Sequence, residues 1–202
     1  MTIRKGEPWG TPGALPAGGV VVGSDAEARA VITEARRRGD PVPAIGLTGG
    51  DLCRTLGGPG ERERLFGDHA ITVPIDLGEV LIDGRLHVFV AHLIARNRGW
   101  TQAYVAMNAQ WRRGWNLGPR AHPNDGLLDT YDAAVPVADL AKIHRRLPTG
   151  SHLPHPGIRE RRTRAAQMEF ARPRRLYLDG EHVGSARVLS VRVEPDALTV
   201  VV

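Results

Sequence analysis

The sequence predicts an α+β fold: an antiparallel, β-sandwich-like domain with one amphipathic helix, preceded by a truncated βαβα fragment. Three observations lead there. From about residue 70, apolar runs are separated by Asp-Gly and Pro-Asp pairs, which favour tight turns. Between residues 19 and 57, β-branched runs alternate with segments that carry helix caps. From Val137 to Leu147, apolar residues recur at helical spacing.

Residues 1–18 are rich in Gly and Pro and read as an irregular arm. Gly19–Gly23 reads as a short strand. Ser24 with Glu27 three residues later is a capping box, and the Ala-rich run to Arg38 ends at Gly39. Pro43–Leu47 is a second strand, Thr48–Asp51 a Gly-rich turn, and Leu52–Leu56 a short helix. Residues 19–66 form an α/β unit with too few elements to cover both faces of its sheet.

Residues 67–202 read as the β-rich domain. Strands are expected at Ile71–Ile75, Glu79–Ile82, Arg85–Ala95, Ala103–Trp111 and Leu127–Tyr131. After the helix, Leu140, Ile143 and Leu147 share one face. Further strands are expected at Ile158–Phe170, Arg175–Asp179, Ala186–Glu194 and Leu198–Val202, with turns at Asp179-Gly180 and Pro195-Asp196.

Composition narrows the functional classes. The chain has 202 residues, 42% of them hydrophobic and 5% aromatic, so aliphatic side chains must build the core. No apolar run approaches the roughly 18 residues that span a bilayer. The single cysteine, Cys53, excludes an internal disulfide framework. With no apolar leader after Met1, it suggests a cytoplasmic protein, extending to a peripheral position at a membrane surface. The net charge is +5, but Lys142–Arg175 alone carries +8. Lys142, Arg145, Arg159 and Arg161 are its candidate anion-binding residues. Nucleic acid is a weak expectation, because the segment lacks interleaved stacking aromatics.

The stretch Asn116–Asp129 joins strong turn chemistry, Pro123-Asn124-Asp125-Gly126, to an apolar run, Leu127-Leu128. It is followed in order by His152-Leu-Pro-His155-Pro-Gly157 and by Leu178-Asp179-Gly180-Glu181. Each motif alone is an ordinary loop or turn. As an ordered set over roughly 90 residues, they resemble the bacterial diacylglycerol kinase and sphingosine kinase-like lipid kinases, relatives of NAD kinase.

That resemblance implies a catalytic cleft between a nucleotide-binding α/β domain and a β-rich lipid-side domain. It implies Asp179 as base and Glu181 as a metal-linked acid. It also implies that Asp125 helps hold a structural Mg2+, with backbone oxygens near His122 and Leu127. The family's Gly-Gly-Asp-Gly-Thr phosphate loop aligns with Gly23-Ser24-Asp25-Ala26-Glu27, keeping Asp25. Its second glycine-rich motif aligns with Leu47–Leu52, keeping Thr48, Gly49 and Asp51.

The departures shape the functional expectation. Ala26 and Glu27 replace residues that let phosphate approach the backbone, and an anion there repels a polyphosphate. The strand-helix units that precede this point in the family have no room before Gly19. The expectation is a lipid-kinase-related protein, non-catalytic, poorly served for ATP, binding an anionic lipid, a phosphorylated metabolite or a protein partner. The alternative is an ATP- and Mg2+-dependent lipid kinase with a reduced site or one completed in trans. The incomplete α/β layer further predicts a homodimer or a protein partner over residues 19–60.

Overall fold

A computed structural model describes residues 9–202. The first eight residues of the expected arm lie outside the described region. The rest of that arm is partly ordered by pairing. Thr11–Pro12 (β1) pairs with Ile71–Ile82 (β4), and Leu15 is buried beside Leu65 and Val201.

The expected βαβα order is present: Val20–Val22 (β2), Asp25–Arg38 (α1), Ile45–Leu47 (β3) and Gly50–Thr55 (α2). The Ser24 hydroxyl accepts the Glu27 N–H at 3.2 Å, as the capping box requires, and Gly39 ends the helix at φ 75°. β2 pairs in parallel with β3. β3 pairs in parallel with Glu181–Val201 (β11), the long final strand.

This pairing changes the picture of an uncovered α/β layer. Val22, Ala28, Ile32, Ile45 and Leu47 form one buried cluster with Val73 and Ile75 of β4 and Leu198 and Val200 of β11. The chain itself covers the face that the sequence reading left open. Among the described residues, none of the large exposed apolar side chains falls within 19–60.

The remaining strands are Arg85–Phe89 (β5), His92–Arg96 (β6), Gln102–Met107 (β7), Leu128–Ala134 (β8), Ile158–Thr163 (β9) and Ala165–Leu178 (β10). The sheet runs β1-β4-β11-β10-β6-β7-β8-β9, with β5 on β4. Its interior holds Val80, Phe89, Leu93, Tyr104, Phe170, Leu176 and Leu189. Val137–Arg146 (α3) lies between β8 and β9 in sequence.

Several strand boundaries differ from the sequence reading, each for a pairing reason. Ile71–Ile75 and Glu79–Ile82 are one strand, because β11 pairs along both. Pro195-Asp196 is a bulge inside β11 rather than a turn: the register shifts between Glu194 and Leu198 while pairing with β4 resumes beyond it. The expected strand Ile158–Phe170 breaks at Arg164, so its two parts pair with different neighbours, β8 and β11. Arg85–Ala95 breaks at Val90-Ala91, for a reason that belongs to the functional site. No described helix is long and apolar enough to cross a membrane.

Candidate functional site

Asp179 follows β10 directly, in a tight turn with φ 51°. Its carboxylate accepts three backbone N–H groups: Val90 at 3.1 Å, Ala91 at 2.9 Å and His92 at 3.2 Å. Those bonds take the N–H groups that would otherwise continue the ladder, and this is where β5 and β6 part. Burial still pushes the Asp179 carboxyl above its ordinary range, against the pull of His92 and the three N–H donors. Arg29 of α1 completes the surroundings. Its Nε lies 3.5 Å from Asp179 Oδ2, and its Nη2 donates to Glu181.

The two helix N-termini that the resemblance assigns to phosphate are met by side chains of the chain itself. Glu27 accepts the Gly23 N–H at 2.7 Å. The Thr48 hydroxyl donates to the Val22 carbonyl at 3.0 Å. Gly49 lets the loop approach so closely that an added Cβ would collide with the Gly23 carbonyl. At α2, the Asp25 carboxylate accepts the N–H of Asp51 at 2.6 Å and of Leu52 at 3.0 Å. Asp25 is buried, and burial followed by repulsion from Asp179 pushes its carboxyl up to about 6.

Asp51, Asp179 and Glu181 line one polar hollow of about 240 Å³, together with His92, Arg112, Arg113 and Gly180. Asp25 stands behind it, joined through the Asp51 N–H. Asp51 accepts the Arg113 N–H and lies 3.1 Å from His92 Nε2. Burial pulls the Asp51 carboxyl up, but His92, the Arg113 N–H and Arg112 together hold it below its ordinary value. Sequence reasoning missed Arg29, His92, Arg112 and Arg113. A lone cation in an arginine-rich chain carries no local signal.

Asp125 lies in a second, separate group. One of its oxygens accepts the Leu127 N–H at 3.0 Å, and the other pairs with Arg162. Arg162 also reaches Asp129, with Nε 3.2 Å from Oδ1. His122 accepts the Asn124 N–H and packs its ring 4.6 Å from that of Trp9. Magnesium wants open hard oxygens. Here a guanidinium already bridges the two carboxylates, so the donor set fits an internal cation rather than Mg2+. The same holds at Asp179 and Glu181, which share Arg29. Among the described residues, no three His, Cys, Asp or Glu side chains cluster as metal ligands.

One face of β7, β8 and β9 borders an apolar cleft of about 590 Å³. Ala103, Val105, Tyr131 and Ile158 form its floor, Trp100 and Trp115 one side, and α3 the other. The helix has the stripe the sequence predicts, and Leu140, Ile143 and Leu147 face the cleft. No residue of α3 itself is fully buried. The cleft therefore separates the helix from the sheet it would otherwise pack against. Two of its residues, Tyr131 and His152, have a buried Oη and Nδ1 without a hydrogen-bond partner. Of the four candidate anion-binding residues, all are exposed. Arg145 lines this cleft, whereas Lys142, Arg159 and Arg161 do not.

Comparisons with known proteins agree on the architecture. Residues 78–202 match the family model described as the YegS C-terminal NAD kinase beta sandwich-like domain. No curated protein matches the chain. A diacylglycerol kinase structure from Bacillus anthracis str. Sterne is similar at 13% identity and a TM-score of 0.54, over 79% of this chain and 66% of that one. A putative diacylglycerol kinase from the same organism is similar at 14% identity and a TM-score of 0.54, over 79% and 68%. Another reaches a TM-score of 0.57 at 12% identity, over 79% and 69%. The chain thus spans about two thirds of their length, and at such identities the likeness is one of fold. With well over half of its residues matching the family model, the chain belongs to the YegS C-terminal NAD kinase β-sandwich-like domain family, related to the lipid kinases.

Proposed function

We propose that the protein binds an anionic amphiphile in the cleft beneath α3 and does not phosphorylate it. The observation that carries the binding half is the cleft itself: about 590 Å³, lined by Ala103, Val105, Leu140, Ile143, Trp100 and Trp115 and apolar on nearly every side. A ligand with an apolar tail fits such a lining, with its polar head at the mouth.

The non-catalytic half is supported by what already occupies the phosphate positions. Glu27 takes the Gly23 N–H, Asp25 takes two N–H groups of α2, and Arg29 holds Asp179 and Glu181. An incoming polyphosphate must displace carboxylates from its own donors and meets their charge.

A second reading, a lipid kinase, is favoured by the gathering of Asp51, Asp179 and Glu181 around one hollow. In that reading Asp179 takes the proton of a lipid hydroxyl. Incubation with labelled ATP, Mg2+ and a lipid alcohol in micelles separates the two. We expect no label in the lipid and no shift of melting temperature with Mg-ATP. Transfer that Asp179→Asn abolishes would establish the kinase instead.

A further inference from the structure

We propose that Arg112 and Arg113 form the head-group site of that amphiphile and select a phosphate monoester. The proposal rests on the cleft reading above, and it adds where the charge sits and which residues hold it.

The two cavities have no lining residue in common, but Arg112 stands between them. Arg112 lines the polar hollow, and its guanidinium packs 5.6 Å from the ring centroid of Trp100 and 5.1 Å from that of Trp115. Both tryptophans line the apolar cleft. A molecule lying across this wall would place its tail against the rings and its head beside the guanidinium.

The charges at the hollow are unequally satisfied. Asp179 accepts three N–H groups and lies beside Arg29, Glu181 takes Arg29, and Asp51 takes His92 and the Arg113 N–H. The cations fare differently. Among the described residues, the guanidiniums of Arg112 and Arg113 form no hydrogen bond or ion pair, and the Arg112 Nε is buried without a partner. Burial, then the neighbouring Arg113, lowers the Arg112 pKa, and Arg96 adds to this. Three carboxylates line the hollow against two guanidiniums, and Arg29 brings the charges level; the donors left open are those of Arg112 and Arg113.

A phosphate head can take those open donors, because planar guanidiniums bind its oxygens through paired N–H groups while Arg29, His92 and backbone N–H groups hold the carboxylates. Arg145 is the competing residue at the cleft. It is exposed, as Arg113 is, so the distinction rests on Arg112, which is half-buried with its Nε shut off from solvent and unpartnered.

The test uses calorimetric titration of the full chain with three probes below micellar concentration: dodecyl phosphate, monododecanoylglycerol and inorganic phosphate. We expect the wild type to prefer dodecyl phosphate over the glycerol ester by about tenfold or more, the scale of one or two charge-assisted bonds. Arg112→Gln with Arg113→Gln should remove the preference and leave the ester's affinity unchanged. The Lys double variant should restore part of it, and Arg145→Gln should keep all of it. Equal wild-type affinities, or a preference that survives the double Gln variant, would overturn the head-group site and leave the cleft reading standing. If neither amphiphile binds, the cleft reading fails. Heat from inorganic phosphate that requires Arg112 and Arg113 would then support a free-phosphate site, and its absence would overturn this inference too.

Discussion

The Arg29 Nε lies 3.5 Å from the Oδ2 of Asp179, a carboxylate whose side chain has no accessible surface. The pairing ties α1 to the break between β5 and β6, because the same carboxylate gathers the N–H groups of Val90, Ala91 and His92. Removing the guanidinium leaves a buried charge served by backbone alone. Arg29→Gln should cost about 1–3 kcal/mol, lowering Tm by roughly 3–10 °C. Differential scanning fluorimetry reads this. An unchanged Tm would mean that the three N–H donors suffice.

Gly50 joins the two glycine-rich turns under tight constraint. Its φ is 98°, and an added Cβ would lie 2.6 Å from Asp25 Oδ1. Gly50→Ala should cost about 2–4 kcal/mol, from backbone strain and displacement of the buried carboxylate together. Gly39 has φ 75° but open space around its Cβ position, so Gly39→Ala should cost only about 1 kcal/mol. Urea unfolding of the two variants gives the comparison, and equal losses would refute the crowding at Asp25.

Arg162 supplies the positive charge for Asp125 and Asp129. The melting temperature of the wild type should therefore ignore both millimolar Mg2+ and EDTA. Arg162→Gln removes the internal cation and leaves two carboxylates facing each other. That variant should melt lower and regain stability when Mg2+ is added. A wild type that melts lower in EDTA and loses that response in Asp125→Asn would contradict this account and favour the structural ion.

Two carboxyls make a contribution of definite sign to the pH dependence. Burial raises Asp129 to about 6 despite Arg162 beside it, and Asp25 is raised to about 6 as well. An unfolded Asp titrates near 3.9. Between those values the folded chain holds protons that the unfolded chain releases. Stability from these groups is therefore greatest near the unfolded value and is lost as pH rises through about 6, on the order of 2 kcal/mol for each. Glu34, held down to about 2 chiefly by its hydrogen bond from Arg37, opposes this only below its ordinary 4.5. His87, His122 and His152, which burial lowers, add stability as pH rises over the same range, so the carboxyl contribution is read by difference: Asp129→Asn should gain Tm relative to the wild type on going from about pH 5 to about pH 7.5. A Tm difference between the two proteins that does not change with pH would contradict the assignment.

The sequence carried some of these features openly and hid others. Helix α1 was legible because Ser24 and Glu27 cap it locally and Gly39 stops it. The break after Phe89 was not, because Val88-Phe89-Val90-Ala91 reads as one apolar strand and the carboxylate that interrupts it comes from Asp179, nearly 90 residues on. Pro195-Asp196 has turn chemistry, yet β4 holds the strand on both sides and turns the same residues into a bulge. The candidate acids were found through the ordered motifs, and Asp51, Asp179 and Glu181 do share a hollow. The cleft was half legible. Leu140, Ile143 and Leu147 announce an apolar face, but a stripe facing a cavity has the same spacing as one buried in a core.

The central claim is that the cleft beneath α3 takes an amphiphile, and Trp100 and Trp115 on its wall report on this directly. Titration with dodecyl phosphate should give a saturable shift in tryptophan emission. Trp100→Phe with Trp115→Phe should remove the signal, and Ile143→Asp, which puts a charge on the cleft face of α3, should weaken binding by about tenfold or more. An emission spectrum that does not respond, or a response that Ile143→Asp leaves intact, would contradict the account.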